Sequence, residues 1–382
     1  MRESVASRRR RMLAAVLARG EAGLSALAVE LGVSVVTARR DAEELARAGA
    51  LRRAHGKVRA IGAHATADGA QGTTAAAPPA AVTPVRSTNT VALVIPEFHS
   101  YLNEALYGAR RALETGGLRV CVHPAPRAAL ATERPLVERA VAEGARGLII
   151  APRWRSAAEE SDGKWLAATG VPTVLLERRP GPGSPLYPLD SVCSDHRYGI
   201  QLAVEHLREL GHRRLLLAAR DDSPTARAVR SAFGAVLAAT PELTDAGQVL
   251  SSPDAGPVAG THEPGVDLPA LLARRRATAV IVHSDVDALV LVEQLVRTGI
   301  RVPEDCSVIA YDDVAAALAP TPLTAVAPPK AEVGRTAAEL LLLRITERVA
   351  GTDAGPARRL ELLPRLSVRG STGPVGWGAA AR

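Results

Sequence analysis

Near the start of the chain, the side chains best suited to chemistry are Ser34, Val36, Thr37, Arg39 and Arg40, then Arg52, Arg53, His55 and Lys57. An arginine on an exposed helix face can offer paired N–H donors to O6 and N7 of guanine. Ser34 and Thr37, at the start of such a helix, can donate to phosphate oxygens. The basic run around Gly56 suits a hairpin tip lying along the DNA backbone or in the minor groove. This is the chemistry of reading a duplex.

Helices must hold those residues. Met12, Leu13, Val16 and Leu17 recur at helical spacing and predict a first helix closing at Gly20. Ser25 is placed to cap a second helix, with Leu24 and Val29 as a hydrophobic staple, and Gly32 supplies a tight turn. Ser34 can cap a third helix in which Val35, Ala38, Ala42, Leu45 and Ala46 share one face. Val36, Thr37, Arg39 and Arg40 are left on the outer side. Helix, turn and helix in this order place the last helix in the major groove.

Charge agrees with that placement. Residues 1–60 hold 13 Lys/Arg against 6 Asp/Glu, while the remaining 322 residues hold 34 of each sign. A compositional preference for arginine (44 Arg, 3 Lys) would spread over the whole chain, but the positive excess is confined to the first sixth. Cys121, Cys193 and Cys306 lie far apart, with no CxxC and no histidine at ligand spacing. That argues against a disulfide framework or a zinc site and fits a reducing cytoplasm, and no cofactor is expected. No run of 18 apolar residues occurs, so no membrane association is expected.

Residues 1–61 read as the DNA-binding domain and residues 62–88, rich in Ala, Gly, Thr and Pro, as a flexible tether. Residues 89–373 form a large module with a short tail at 374–382. Aliphatic runs at 91–95, 118–122, 147–151, 173–177, 215–219, 279–283 and 307–311 predict strands. Amphipathic stretches at 101–115, 134–143, 197–210, 225–239, 286–298 and 331–349 predict helices between them. Short strands alternating with helices imply an α/β module of parallel sheets covered on both faces. Ligands then sit at the C-terminal ends of strands, here segments 96–101, 152–154, 284–285 and 312–313.

The head resembles the winged helix-turn-helix of DeoR-type regulators, whose pattern Val-Ser-x-x-Thr-x-Arg-Arg-Asp is met by Val33 through Asp41, with Arg53-Ala54-His55-Gly56 as the wing. Ala38 and Ala42 stand where larger aliphatics are usual, and Lys57 replaces a second glycine. The large module resembles the effector domain of the lactose-repressor (LacI/GalR) family. The resemblance rests on Asp195 through Gly199, His206 through Arg214, Arg230 through Gly234, Val280 through Ala288, Gly299 through Asp313, Pro322 through Thr324 and Leu363 through Thr372. It implies two Rossmann-like, periplasmic-binding-protein-like lobes joined by three crossovers, a small molecule between them, and a homodimer. It also implies effector-binding roles for Arg230, for Asp312 as a hydroxyl acceptor, for Asp285 beside Ser284 where asparagine is usual, and for Tyr101. Trp154 is added from the residues themselves, as one of ten aromatics and at a strand end, where it can stack a ligand.

The expected protein is a cytoplasmic transcriptional regulator, a repressor whose occupancy of a double-stranded DNA operator is set by a sugar or nucleoside, with no catalytic or metal site. The alternative is a sugar or sugar-phosphate enzyme carrying an accessory DNA-binding head. No P-loop, GxGxxG, nucleophile elbow or metal cluster supports that. A pure binding protein with a vestigial head is opposed by the intact arginine pair and basic wing. His212 reads as a turn residue before a strand, and Asp313 as structural. Lactose-repressor relatives couple lobes to DNA through a hinge helix, and residues 62–88 carry no such pattern.

Overall fold

In the computed structural model, the described residues are 8, 11–12, 16, 21–47, 51–54, 57–60, 89–96, 100–126, 133–154, 157–220, 223–243, 246–250, 267–352 and 355–376. The chain divides into two units, Met1–Thr83 and Pro84–Arg382. The predicted tether at 62–88, the end of the first helix at Gly20, His55 and the last six residues lie outside the described set.

In the first unit, β1 (Glu21–Gly23) leads into α1 (Leu24–Leu31) and α2 (Val35–Arg47), then β2 (Leu51–Ala54) and β3 (Lys57–Ala60). The strands form an antiparallel sheet in the order β1-β3-β2, so the expected hairpin is present. β1 was not expected. Its pairing with β3 fixes the extended backbone that precedes α1, so Gly23 takes the cap position. Ser25 lies inside the helix and does not cap it, and Val29, expected to staple it, is exposed. The core joins Met12, Val16, Leu24, Leu27, Ala28, Leu31, Ala38, Ala42 and Val58.

The second unit is built as two lobes. The chain lays down β4 (Thr90–Pro96), α3 (Ser100–Thr115), β5 (Arg119–Ala125), α4 (Glu133–Ala142), β6 (Ala145–Ile150), α5 (Ala157–Asp162), β7 (Thr173–Leu176) and β8 (Asp190–Ser194) in the first lobe. It crosses into α6 (His196–Glu209), β9 (Leu215–Ala219), α7 (Pro224–Ala238), β10 (Gly247–Leu250), α8 (Leu268–Arg275), β11 (Ala279–His283), α9 (Asp285–Arg297), β12 (Ser307–Tyr311) and β13 (Thr324–Ala327). It returns for α10 (Lys330–Val349) and β14 (Arg359–Leu362), then crosses a third time into β15 (Arg365–Ser367). The first sheet runs β5-β4-β6-β7-β8-β14, all parallel. The second runs β10-β9-β11-β12-β13-β15, parallel except for β15.

Local chemistry sets the helix starts. Asp195 caps α6 by accepting the Tyr198 N–H, and Ser223 caps α7 ahead of Pro224. Ser284 and Asp287 form a capping box on α9. α10 belongs to the first lobe's core, where Val333, Ala337, Leu341 and Ile345 meet Ala105, Ala109 and Leu113 of α3. The two helix backbones touch: a Cβ at Gly108 would strike the carbonyl oxygen of Ala331, and one at Gly334 that of Ala105. Glycine is required there by close approach.

Candidate functional site

The face of α2 expected from sequence to read DNA is exposed in the head. Gly32, at φ +66, turns the chain between the helices, with N–H bonds to the carbonyls of Ala28 and Val29. Ser34 Oγ accepts the Thr37 N–H at 3.2 Å and lies 2.9 Å from Thr37 Oγ1, so its cap role is met. Ala38 and Ala42 are fully buried in the head core. Asp41 is buried as well, and Arg8 Nε meets its Oδ2 at 2.7 Å. That ion pair pins α2 to the first helical segment. Opposite this face, Val36, Arg39 and Arg40 are exposed. Arg52 and Arg53 fall on β2 and Lys57 on β3. The order of caps, burial and exposure makes Arg39 and Arg40 available to a groove.

Between the lobes lies a cavity of about 460 Å³, within the range of small-molecule sites. Its wall includes Trp154 after β6, Glu177 and Arg178 after β7, Asp195 and His196 at the β8–α6 crossover, and Arg227 on α7. Trp154 is 8% exposed, its ring among the apolar side chains of the first lobe. Arg178 is buried and gives its N–H groups to main-chain oxygens: Nε to Pro152, Nη1 to Glu177 at 2.7 Å and Nη2 to Ala151 at 3.4 Å. Burial brings this guanidinium down to about 10, partly countered by Glu177. Arg227 Nη1 reaches from the second lobe to the Trp154 carbonyl at 2.6 Å.

Behind the cavity wall is a buried polar cluster. Glu177 accepts the Tyr101 hydroxyl at 2.6 Å, Ser194 Oγ at 2.9 Å and the Ser194 N–H at 3.1 Å. His196 Nε2 lies 3.8 Å from Glu177 across the lobes, and its Nδ1 is 3.0 Å from the Tyr311 hydroxyl. Burial pushes His196 below the usual histidine range, against the pull of Glu177 and Asp195. Lys330, 5% exposed, donates to the Asp312 carbonyl at 2.7 Å, faces Glu104 at 3.6 Å and sits over the Tyr101 ring. Burial, then the neighbouring Asp285 charge, raises Asp312 well above the carboxylate range despite Lys330. Glu177, Asp312 and Asp313 hold positive φ (53°, 112° and 51°), the backbone strain that collects at ligand sites.

Of the five effector residues expected from sequence, Trp154 is on the described cavity wall. The other four stand off it for separate reasons. Tyr101 is spent behind Glu177. Arg230 points to the flank of α7, where its Nη1 holds the Arg220 carbonyl. Both Asp285 oxygens are occupied by the N–H groups of Asp313, Val314, Ala315 and Ala316, which makes it the anchor of the loop after β12. Asp312 is buried on that loop. Asp313 pairs with Arg369, as a structural residue should. His212 ties Thr278, Ser307 and Gly373 together at 2.9–3.1 Å, also a structural role. Glu177, Arg178, His196, Arg227 and Lys330 were missed. A signal existed for two of them: Glu177 ends a predicted strand, and Lys330 is one of three lysines in the chain.

A helix-turn-helix in one unit and an interlobe cavity in the other are the parts of a two-module regulator. Comparisons with known proteins agree. Residues 8–63 match the DeoR-like helix-turn-helix domain, and residues 204–372 match the periplasmic binding protein-like domain. The HTH-type transcriptional regulator MalR of Streptomyces coelicolor is 32% identical over 246 residues, covering 63% of this chain and 68% of that protein. The HTH-type transcriptional repressor PurR of Haemophilus influenzae is 31% identical over 209 residues, covering 53% and 57%. A LacI transcriptional regulator structure from a Rhodococcus species shares the fold at a TM-score of 0.61 and 24% identity, over 75% of this chain and 99% of that one. The chain belongs to the LacI/GalR family of helix-turn-helix transcriptional regulators, with a head of DeoR type.

Proposed function

We propose that the protein is a repressor whose hold on operator DNA is released by a sugar or nucleoside in the interlobe cavity. The observation that carries this reading is the cavity wall, in which one buried tryptophan stands among carboxylates and guanidinium groups. A sugar ring stacks its C–H face on an indole, while planar carboxylates and guanidinium groups take hydroxyls in pairs. Glu177 and Arg227 are an acceptor and a donor on opposite walls of the cavity. Tyr101 supports the wall from behind through its bond to Glu177. The effector acts by favouring one lobe arrangement over another, which requires different affinity for the two.

A homodimer completes the reading, since two heads match a two-fold operator. Support comes from the half-exposed Val122 on the open edge strand β5 and from exposed Val286, Val290 and Val296 on α9. The site of action is the cytoplasm, where the operator is. Among the described residues no helix is long and apolar enough to cross a membrane, and no group of three His, Cys, Asp or Glu side chains could hold a metal ion.

The test is fluorescence anisotropy on DNA from upstream of the protein's own gene, at two salt concentrations, with a panel of sugars and nucleosides. The expected result is salt-sensitive binding released by one compound. Binding that no compound in the panel alters would overturn the effector class.

A further inference from the structure

Among the described residues, contacts of two kinds join the lobes, and they differ in where they lie. The first is at the crossovers. His196 faces Glu177 one residue beyond the β8–α6 crossover, and Lys330 meets Asp312, Glu104 and Tyr101 where β13 gives way to α10. Contacts beside a hinge persist in either lobe arrangement because the chain itself holds them together. The second is the Arg227–Trp154 hydrogen bond, whose donor sits on α7, some thirty residues along the chain from the nearest crossover.

We propose that Arg227 is an interlobe latch: from the second lobe it holds the cleft shut through the main-chain carbonyl of Trp154, and it is the lobe-spanning residue that an effector must share or displace. This deepens the reading of the cavity as an effector site.

Two observations support it. The acceptor belongs to a segment already fixed to its own lobe, since Arg178 holds the Ala151 and Pro152 carbonyls and Glu133 accepts the Arg153 N–H at 3.3 Å. A bond to so rigid a segment constrains the lobe and not merely a loop. The helix stripe facing the cavity runs through Pro224, Arg227, Ala228, Ser231 and Ala235, at the three- and four-residue steps of one helix face. Arg230 is off that stripe and bound within its own lobe, which separates the two arginines by role.

The test needs no effector, so its failure is distinct from failure of the sugar or nucleoside reading. In the full chain with Trp165→Phe and Trp377→Phe, Trp154 is the remaining tryptophan, and its quenching by acrylamide reports cleft opening. Arg227→Met keeps the aliphatic stem but loses the donors. Loss of one charge-assisted hydrogen bond shifts an open-to-closed ratio by about tenfold or more, so quenching should rise clearly. Arg227→Lys, which keeps a donor, should fall between. Arg230→Met should leave quenching at the parent value. Circular dichroism on each variant confirms that the fold is kept. Quenching unchanged in Arg227→Met, or raised equally by Arg230→Met, would overturn the latch.

Discussion

In the head, Arg39 and Arg40 stand exposed on a helix whose opposite face carries the buried Ala38 and Ala42. In the lobes, Arg178 is buried and its N–H groups go to carbonyls of its own lobe, while Arg227 reaches across to the other. The same side chain type stands exposed in one unit and acts as a fastener in the second. The difference follows from burial. An exposed guanidinium keeps its water until a phosphate or base replaces it, whereas a buried one must have every donor met inside the protein. Selection for reading therefore leaves arginine on the surface of a thin, simple scaffold, and selection for closure builds it into a dense polar network.

That contrast is broken most severely by disturbing the scaffold of one unit alone. Gly334→Val puts side-chain atoms into the Ala105 carbonyl at the α3–α10 crossing, and the two helices must separate. The expected loss is about 4 kcal/mol or more of lobe stability, read by urea unfolding followed at the lobe tryptophans. Head-only DNA contacts should survive at low denaturant. Next in size is Asp41→Ala, which removes the buried carboxylate that Arg8 Nε meets at 2.7 Å. A loss of about 3 kcal/mol in the head is expected. Hydrogen exchange of the α2 amides should quicken while that of β9, β11 and β12 stays slow. If both units were affected equally by either change, they would not be independent.

A smaller and more specific effect is expected at the reading face. Arg39→Ala or Arg40→Ala should weaken operator binding by about 1–3 kcal/mol where the residue contacts a base, with thermal stability unchanged. Anisotropy titration against operator and scrambled DNA separates the cases. Equal weakening on both duplexes would make the residue a phosphate contact, and no weakening for either variant would remove α2 from the groove.

The head was far more legible in the sequence than the cleft, for a physical reason. Ser34, Gly32 and the alanine face act within a few residues, and local spacing reports local structure. Strands 215–219, 279–283 and 307–311 were likewise readable as continuous aliphatic runs buried on both faces, and their observed bounds are the same. β8 and β13, with polar or alanine residues at most of their positions, carried no such signal. In the cleft, Tyr101, Glu177 and Ser194 meet across 76 and 17 residues of chain, and Lys330 joins them from farther still. Nothing in the spacing announces such a meeting. Arg230 and Arg227 show the limit most sharply: both lie on one predicted helix, and only the turn of that helix decides which faces the cavity.

The smallest expected effect is a dependence on pH that the lobes show through His196. Burial holds this histidine below its ordinary value of 6.5, with Tyr311, Glu177 and Asp195 around it. As pH falls below 6.5 the unfolded chain takes up this proton before the folded lobes do. The folded state then binds fewer protons than the unfolded one, and stability declines. Asp285 and Asp312 work in the other direction, because burial raises both and the folded lobes keep protons that the unfolded chain loses above 3.8. The wild-type profile alone therefore sums opposing slopes. Comparing wild type with His196→Asn isolates one of them: the variant loses the His196 contacts at every pH but has no imidazole to charge. Its stability deficit should be largest above 6.5 and should narrow as pH falls well below that value. Urea unfolding of the two proteins across this window decides the matter, and a deficit that stays constant would mean that His196 takes up its proton as readily in the folded lobes as in the unfolded chain.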